Sequence, residues 1–234
     1  MALLAFVAAV CTALGFWQLD RAGQSRAVLE RYAEARELPP VSRPLDALEP
    51  GDAAALRYRS VVVDGRYEPD RQFLIDNIVR DGVPGYLVLT PLRMEDRDAR
   101  LIVNRGWIRA SPDRSVLPAI GVSREPRRVV GRLDELPAPG LKLGGAPAPA
   151  ADEPVRVLSY PTMAELESEL GHRLIDYQLL LDPDQPDGFA RDWEGPAADP
   201  ARNLGYAGQW WLFAAVAAGA AAVIARRSLR RRTR

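Results

Sequence analysis

Two long uncharged stretches bracket this chain. Residues Met1 to Leu19 carry no charge and neither do Tyr206 to Ala225, while charged side chains crowd the region between them and the tail that follows. A helix rising ~1.5 Å per residue needs about 20 apolar residues to cross a ~30 Å hydrocarbon layer. Both stretches meet that length, so the pattern predicts one transmembrane helix over 1–19 and another over 206–225. A cleavable signal peptide is the alternative for the first, but it lacks a basic n-region and a clean small-x-small site.

From Trp17 onward the pattern becomes periodic. Leu19, Ala22, Leu29, Tyr32 and Ala35 fall near helical spacing among charges until Pro39-Pro40, which predicts a helical stalk over 20–40. After a loop with Pro44, Pro50 and Gly51 come strand-like runs: Arg57 to Glu68, Gln72 to Val79, Tyr86 to Met94, Arg100 to Ile108 and Arg127 to Leu136. They are bounded by turn formers such as Asp81-Gly82 and Pro112-Asp113. Gly82 with Pro84-Gly85 reads as a tight turn launching a strand that Pro91 stops or edges. Asn104-Arg105-Gly106-Trp107 reads as a strand end with core and turn roles.

The Pro/Ala/Gly stretch from Leu136 to Pro154 reads as a surface loop or linker. Thr162 with Glu165 forms a capping box ahead of Leu166 and Leu170, and Gly171 supplies a stop, so a short helix is predicted there. Arg173 to Leu181 is a last strand, and Asp182 to Arg202 leads back to the second span. The expected fold class is an α+β membrane protein: two transmembrane helices flank a mainly antiparallel β extracytoplasmic domain over 41–205, with one or two short helices.

Charge supplies the orientation. Six of the last nine residues are arginine, immediately after the second span, and basic flanks stay on the cytoplasmic face. Both termini are therefore expected in the cytoplasm, with 226–234 a cytoplasmic tail and the middle domain periplasmic. Without that tail 25 basic side chains face 31 acidic ones, a balance that excludes a nucleic-acid surface. Lys142 is the sole lysine, which together with the abundant alanine reads as compositional bias.

Chemistry is sparse. Cys11 is the single cysteine and lies in the first span, so no intramolecular disulfide or cysteine metal cluster can form. His172 is the single histidine, and no serine sits in a Gly-x-Ser-x-Gly setting. An enzyme is not expected, and a membrane-anchored periplasmic enzyme or sensor is a remote alternative. Ala5, Ala9 and Ala13, and likewise Ala214, Ala218 and Ala222, form shallow stripes through which the spans can pack together or dock onto a partner's helix. Trp17, Gln18 and Arg21 follow the first span; Tyr206, Gln209, Trp210 and Trp211 open the second. An interfacial aromatic belt accounts for Trp and Tyr. Gln18 and Gln209 fall at one membrane depth, which predicts a hydrogen-bonded pair between the helices.

Four patches carry a resemblance that covers the chain in order: Leu14-Gly15-Phe16-Trp17-Gln18-Leu19-Asp20-Arg21; Gly82-Val83-Pro84-Gly85-Tyr86-Leu87-Val88-Leu89-Thr90-Pro91-Leu92; Val103-Asn104-Arg105-Gly106-Trp107-Ile108; and Leu204-Gly205-Tyr206-Ala207-Gly208-Gln209-Trp210. With the span, domain, span layout they make the chain resemble the surfeit locus protein one family, factors for biogenesis of cytochrome c oxidase. The resemblance implies an assembly factor in the bacterial inner membrane, with the oxidase catalytic subunit and other oxidase assembly factors as partners. It also implies, as an alternative, a carrier with haem a as transient cargo. In that family's pattern a histidine ahead of the second span is the proposed iron ligand; the position here is Asn203, and an amide is a poor haem ligand beside imidazole. Trp17, Tyr206 and Trp210 would then offer aromatic surface to haem or a partner, with Arg21 or Arg202 pairing with propionates.

Overall fold

The computed structural model describes residues 2–41, 53–94, 98–137 and 155–232. The chain forms two compact units: residues 1–34 with 194–234, and residues 35–193. The expected loop with Pro44, Pro50 and Gly51, and nearly all of the Pro/Ala/Gly stretch, lie outside the described residues.

The first unit is built on two helices, α1 (Ala2–Glu37) and α4 (Pro200–Arg232), both long and apolar enough to cross a membrane. At ~1.5 Å per residue each exceeds a ~30 Å hydrocarbon layer. α1 runs on from its apolar half without a break and ends just ahead of Pro39-Pro40, where proline removes the donor a helix needs. α4 begins before the uncharged stretch does. Asp199 caps it, its carboxylate accepting from the Arg202 amide at 2.9 Å, and Pro200 takes the first helical position, where no amide donor is required.

Among the described residues the second unit contains seven strands: β1 (Ser60–Tyr67), β2 (Gln72–Arg80), β3 (Val83–Met94), β4 (Arg100–Arg109), β5 (Arg127–Asp134), β6 (Val155–Leu158) and β7 (Leu174–Leu181), with short helices α2 (Ala53–Leu56) and α3 (Met163–Leu170). Their order is β1-β5-β7-β4-β3-β2-β6, and β1 also pairs with β3. That extra pairing closes β1, β5, β7, β4 and β3 into a five-stranded barrel, with β2 and β6 continuing the sheet outward. Five pairings are antiparallel and two, β2–β6 and β4–β7, are parallel. The expected mainly antiparallel α+β architecture is the one observed.

Alternation along the strands sorts residues into three cores. Val61, Val63, Leu92, Leu101, Val129 and Leu179 are among those that fill the barrel interior. On another face Phe73, Ile75, Leu89 and Ile102 meet Leu166 and Leu170 of α3. Leu74, Tyr86 and Val88 pack with Ala110 and Ile120 in a third cluster. The Thr162–Glu165 capping box is present, and Gly171 ends α3 at φ 68° in the left-handed region.

Two expectations need correction. Pro91 does not stop its strand, since β3 continues to Met94. β2 pairs with β3 as far as Leu89 and β1 takes over at Leu92, so the amide that proline lacks falls where β3 changes neighbour. Likewise Asn104 to Trp107 do not end β4, which runs to Arg109; they form a bulge within it. Leu87 faces Trp107 and Leu89 faces Asn104, leaving Arg105 and Gly106 together opposite Val88. β6 was not anticipated. Its four residues form an edge strand against β2, too short for alternation to show.

Candidate functional site

α1 and α4 pack antiparallel. Gly15 lies against the Trp211 indole so closely that a Cβ there would fall 2.2 Å from Nε1, and ten residues further along α1 Ser25 meets Asn203. Between and beyond these contacts the less exposed positions recur at alternating steps of four and three. On α1 they are Cys11, Gly15, Gln18, Ala22 and Ser25; on α4, Asn203, Ala207, Trp210, Ala214 and Ala217. This is a 3.5-residue seam of the coiled-coil kind, and its small residues admit close backbone approach. The four-residue stripes expected from alanine spacing are not the interface: Ala5, Ala9 and Ala13 are exposed, as are Ala218 and Ala222. A strict step of four drifts away from the seam, and only Ala214 lies on both.

The side chains singled out in the sequence sort by this seam. Phe16 meets Trp211 edge to face at 5.6 Å between ring centroids. Trp210 is half-buried, whereas Trp17 and Tyr206 are 55% and 45% exposed, unusual for residues of their size outside an interface or lipid. Arg21 is exposed and donates to Gln24, which in turn donates to Asp20. Arg202 is exposed, and its backbone amide donates to the Asp199 carboxylate. The two inter-helix contacts place Gln18 level with Gln209, but Gln18 is on the seam and Gln209 faces outward, and no hydrogen bond joins them. The polar bridge is about two turns away. Asn203 Nδ2 donates to Ser25 Oγ at 3.1 Å and to the Asp199 carbonyl at 3.2 Å, tying α4 to α1.

The second unit has its own polar centre, which sequence reasoning placed only as a strand end. Arg105 is 1% exposed. Its guanidinium donates to the carbonyls of Asp187, Ile120 and Gly121 at 2.7, 2.9 and 3.2 Å, and to Gln72 Oε1 at 3.0 Å. The Phe189 and Tyr67 rings lie 5.1 and 5.9 Å from it. Burial pushes the guanidinium below its ordinary pKa, and the nearby Asp187 opposes this. Desolvation likewise raises Tyr67 to about 12, against the lowering effect of Arg105 and Arg127. A signal was available: Arg105 is the one charge between Leu101 and Ile108.

The two middle patches meet here. Trp107 donates from Nε1 to the Ile78 carbonyl at 3.0 Å and lies over Gly85, where a Cβ would come within 2.4 Å of the indole. Gly106, at φ 108°, faces the Ala190 carbonyl, 2.7 Å from where its Cβ would be. The four patches thus join in pairs, one pair in each unit. The sequence model of the SURF1 family matches residues 5–215, a span that takes in all four. The chain belongs to the SURF1 family. Among curated relatives, a SURF1-like protein of Drosophila melanogaster is 30% identical over 45% of this chain and 39% of its own length. The cytochrome oxidase assembly protein SHY1 of Saccharomyces cerevisiae is 23% identical over 72% of this chain and 43% of its own. Surfeit locus protein 1 of Takifugu rubripes is 24% identical over 49% and 52%. The chain therefore spans about half or less of the length of these relatives.

Among the described residues no group of three or more His, Cys, Asp or Glu side chains is placed to hold a metal ion. At Asn203 the family member carries an amide whose donor is already shared between Ser25 and Asp199. An amide oxygen is a weak ligand for haem iron, so the donor set at this position does not fit an axially ligated haem.

Proposed function

We propose that this SURF1-family chain is a non-enzymatic assembly factor for cytochrome c oxidase, acting on its haem a-containing catalytic subunit. The observation that carries the reading is the family match across both units, together with a relative named for cytochrome oxidase assembly. The working surface is the outer mouth of the helix pair, where Trp17 and Tyr206 stay exposed around a well-packed seam. Aromatic side chains held on a rigid element are the kind of residue that anchors a partner. With Asn203 spent on the seam, contact with oxidase intermediates rather than a bond to haem iron carries the role. The arginine-rich end of α4 orients both termini to the cytoplasm of a bacterial inner membrane, with residues 35–193 on the periplasmic side.

Deleting the gene in its native host should lower the amount of oxidase and its haem a band in difference spectra. Wild-type chain should restore both, and Trp17→Ala with Tyr206→Ala should restore less. Unchanged oxidase and haem content after deletion would sink the proposal. Direct haem carriage has its own test: an absorption band in the purified chain that Asn203→His strengthens would establish haem as cargo.

A further inference from the structure

Where β1 and β3 meet, Arg66 stands directly opposite Arg93. Side chains opposed across an antiparallel pair share one face at ~4.5–5.5 Å between Cβ atoms, and like charges there repel. Both arginines are exposed, and neither has an ion pair or hydrogen bond among the described residues. Among the described residues the acids around them are engaged elsewhere. Glu68 accepts from Arg100 at 2.9 Å, Asp70 is paired with Arg124, and Arg71 donates to the Leu170 carbonyl at the end of α3. Together with His172 they line an open cleft of about 480 Å³, the size of a small-molecule site. Among the described residues each acid in the cleft has a cation already, so the charges of Arg66, Arg71 and Arg93 have no acid opposite them, and Arg71 alone of the three has a hydrogen-bond acceptor.

An arrangement that costs stability and leaves two planar donor forks side by side is suited to gripping an oxyanion. We propose that the barrel unit binds a phosphate dianion, as a soluble phosphate monoester or a phosphate headgroup, between Arg66 and Arg93. The group would take one guanidinium on each side and cancel the repulsion across the β1–β3 pair. This site lies wholly within residues 35–193 and is independent of the helix-pair surface.

The test is calorimetric titration of the full chain in phosphatidylcholine nanodiscs with inorganic phosphate. Saturable binding below about 1 mM is expected, and the Arg66→Gln/Arg93→Gln double variant should weaken it about tenfold or more. Arg128→Gln, which removes an exposed pair with Asp64 on the same sheet, should leave it unchanged. In phosphate-free buffer the double variant should melt at or above the wild-type midpoint, the reverse of what a structural role predicts. If the double variant does not fold, Arg93→Gln alone should still weaken binding about threefold. Dihexanoyl phosphatidic acid binding about tenfold tighter than inorganic phosphate identifies a lipid headgroup, equal affinities a soluble phosphate, and both support the site. No saturation below about 1 mM, full retention of binding by the double variant, or tighter binding of succinate than of phosphate would each overturn it.

Discussion

In the barrel unit the large apolar side chains are inside: Phe73, Leu92 and Leu179 are almost wholly buried. In the helix pair they are outside, with Phe6, Phe16, Phe213 and Val216 all more than half exposed, while Gly15, Ala22 and Ala207 form the seam. The inversion reports two solvents. Water drives apolar area together in the barrel. Between helices in lipid that drive is absent, and close approach of small residues with an occasional hydrogen bond holds the pair. Polar groups follow the same division: the barrel unit buries Arg105 with Gln72 and Thr90, while among the described residues Asn203 bridges the seam to Ser25.

The largest effect should come from removing the barrel's buried charge. Arg105→Met keeps most of the volume but leaves the buried Ile120 carbonyl, and the part-buried carbonyls of Asp187 and Gly121, without their donor. Orphaned buried acceptors cost ~1–3 kcal/mol each. A loss of ~3–5 kcal/mol is expected in denaturant unfolding followed by near-UV circular dichroism. A loss under ~1 kcal/mol would mean that the centre of the barrel tolerates an apolar core.

Alkaline titration probes the same centre next. Tyr67 is held neutral, and its pKa of about 12 in the folded chain lies above the ordinary value near 10. Its contribution is therefore complete below about pH 10 and fades as pH rises through 12. Two pKa units correspond to ~3 kcal/mol by linkage. Unfolding free energies between about pH 9 and about pH 12 should fall by up to that amount, and Tyr67→Phe should flatten the fall. A phenolate absorbance titration with every tyrosine ionising together near pH 10 would contradict the buried assignment.

Gly106→Ala asks whether the bulge itself is required. The new Cβ would sit 2.7 Å from the Ala190 carbonyl, at a φ of 108° that side chains resist. A cost of ~1–3 kcal/mol is expected, visible as a lower denaturation midpoint.

What the sequence disclosed follows the same division between the units. The strand runs between Arg57 and Leu136, and the last from Arg173 to Leu181, were legible because alternation repeats and turns such as Asp81-Gly82 have their own chemistry; both residues adopt positive φ in the two-residue hairpin loop. Barrel closure was not legible, because it depends on Leu92 to Met94 reaching past β2 to β1, and nothing local records a strand's second neighbour. Arg105 was hidden by habit, since arginine usually marks a surface. In the helices hydropathy located the spans, yet abundant alanine offered several faces, and the step-four stripes masked the true step of three and four. Gln18 and Gln209 were rightly placed at one level but on faces that do not meet. The family's pattern identified Asn203 by position; only the packed helices revealed its partner.

The smallest expected effect bears most on function. Asn203→Ala and Ser25→Ala each remove one side of the bridge between α4 and α1. Ser25 and Asn203 lie beyond the uncharged spans, where a part-buried side-chain hydrogen bond contributes a net ~0.5 kcal/mol, so a double-mutant cycle should return a coupling near that value. It can be read from helix-pair dissociation measured by energy transfer between labels on the two helices. Such a coupling makes residue 203 a structural clamp in this chain, and the pair should tolerate Asn203→Ser better than Asn203→Ala. A coupling indistinguishable from zero would free the Asn203 amide from the seam. Position 203 would then again be available to a ligand, and the contrast between a barrel that buries polarity for stability and a helix pair that buries it for packing would lose its clearest example.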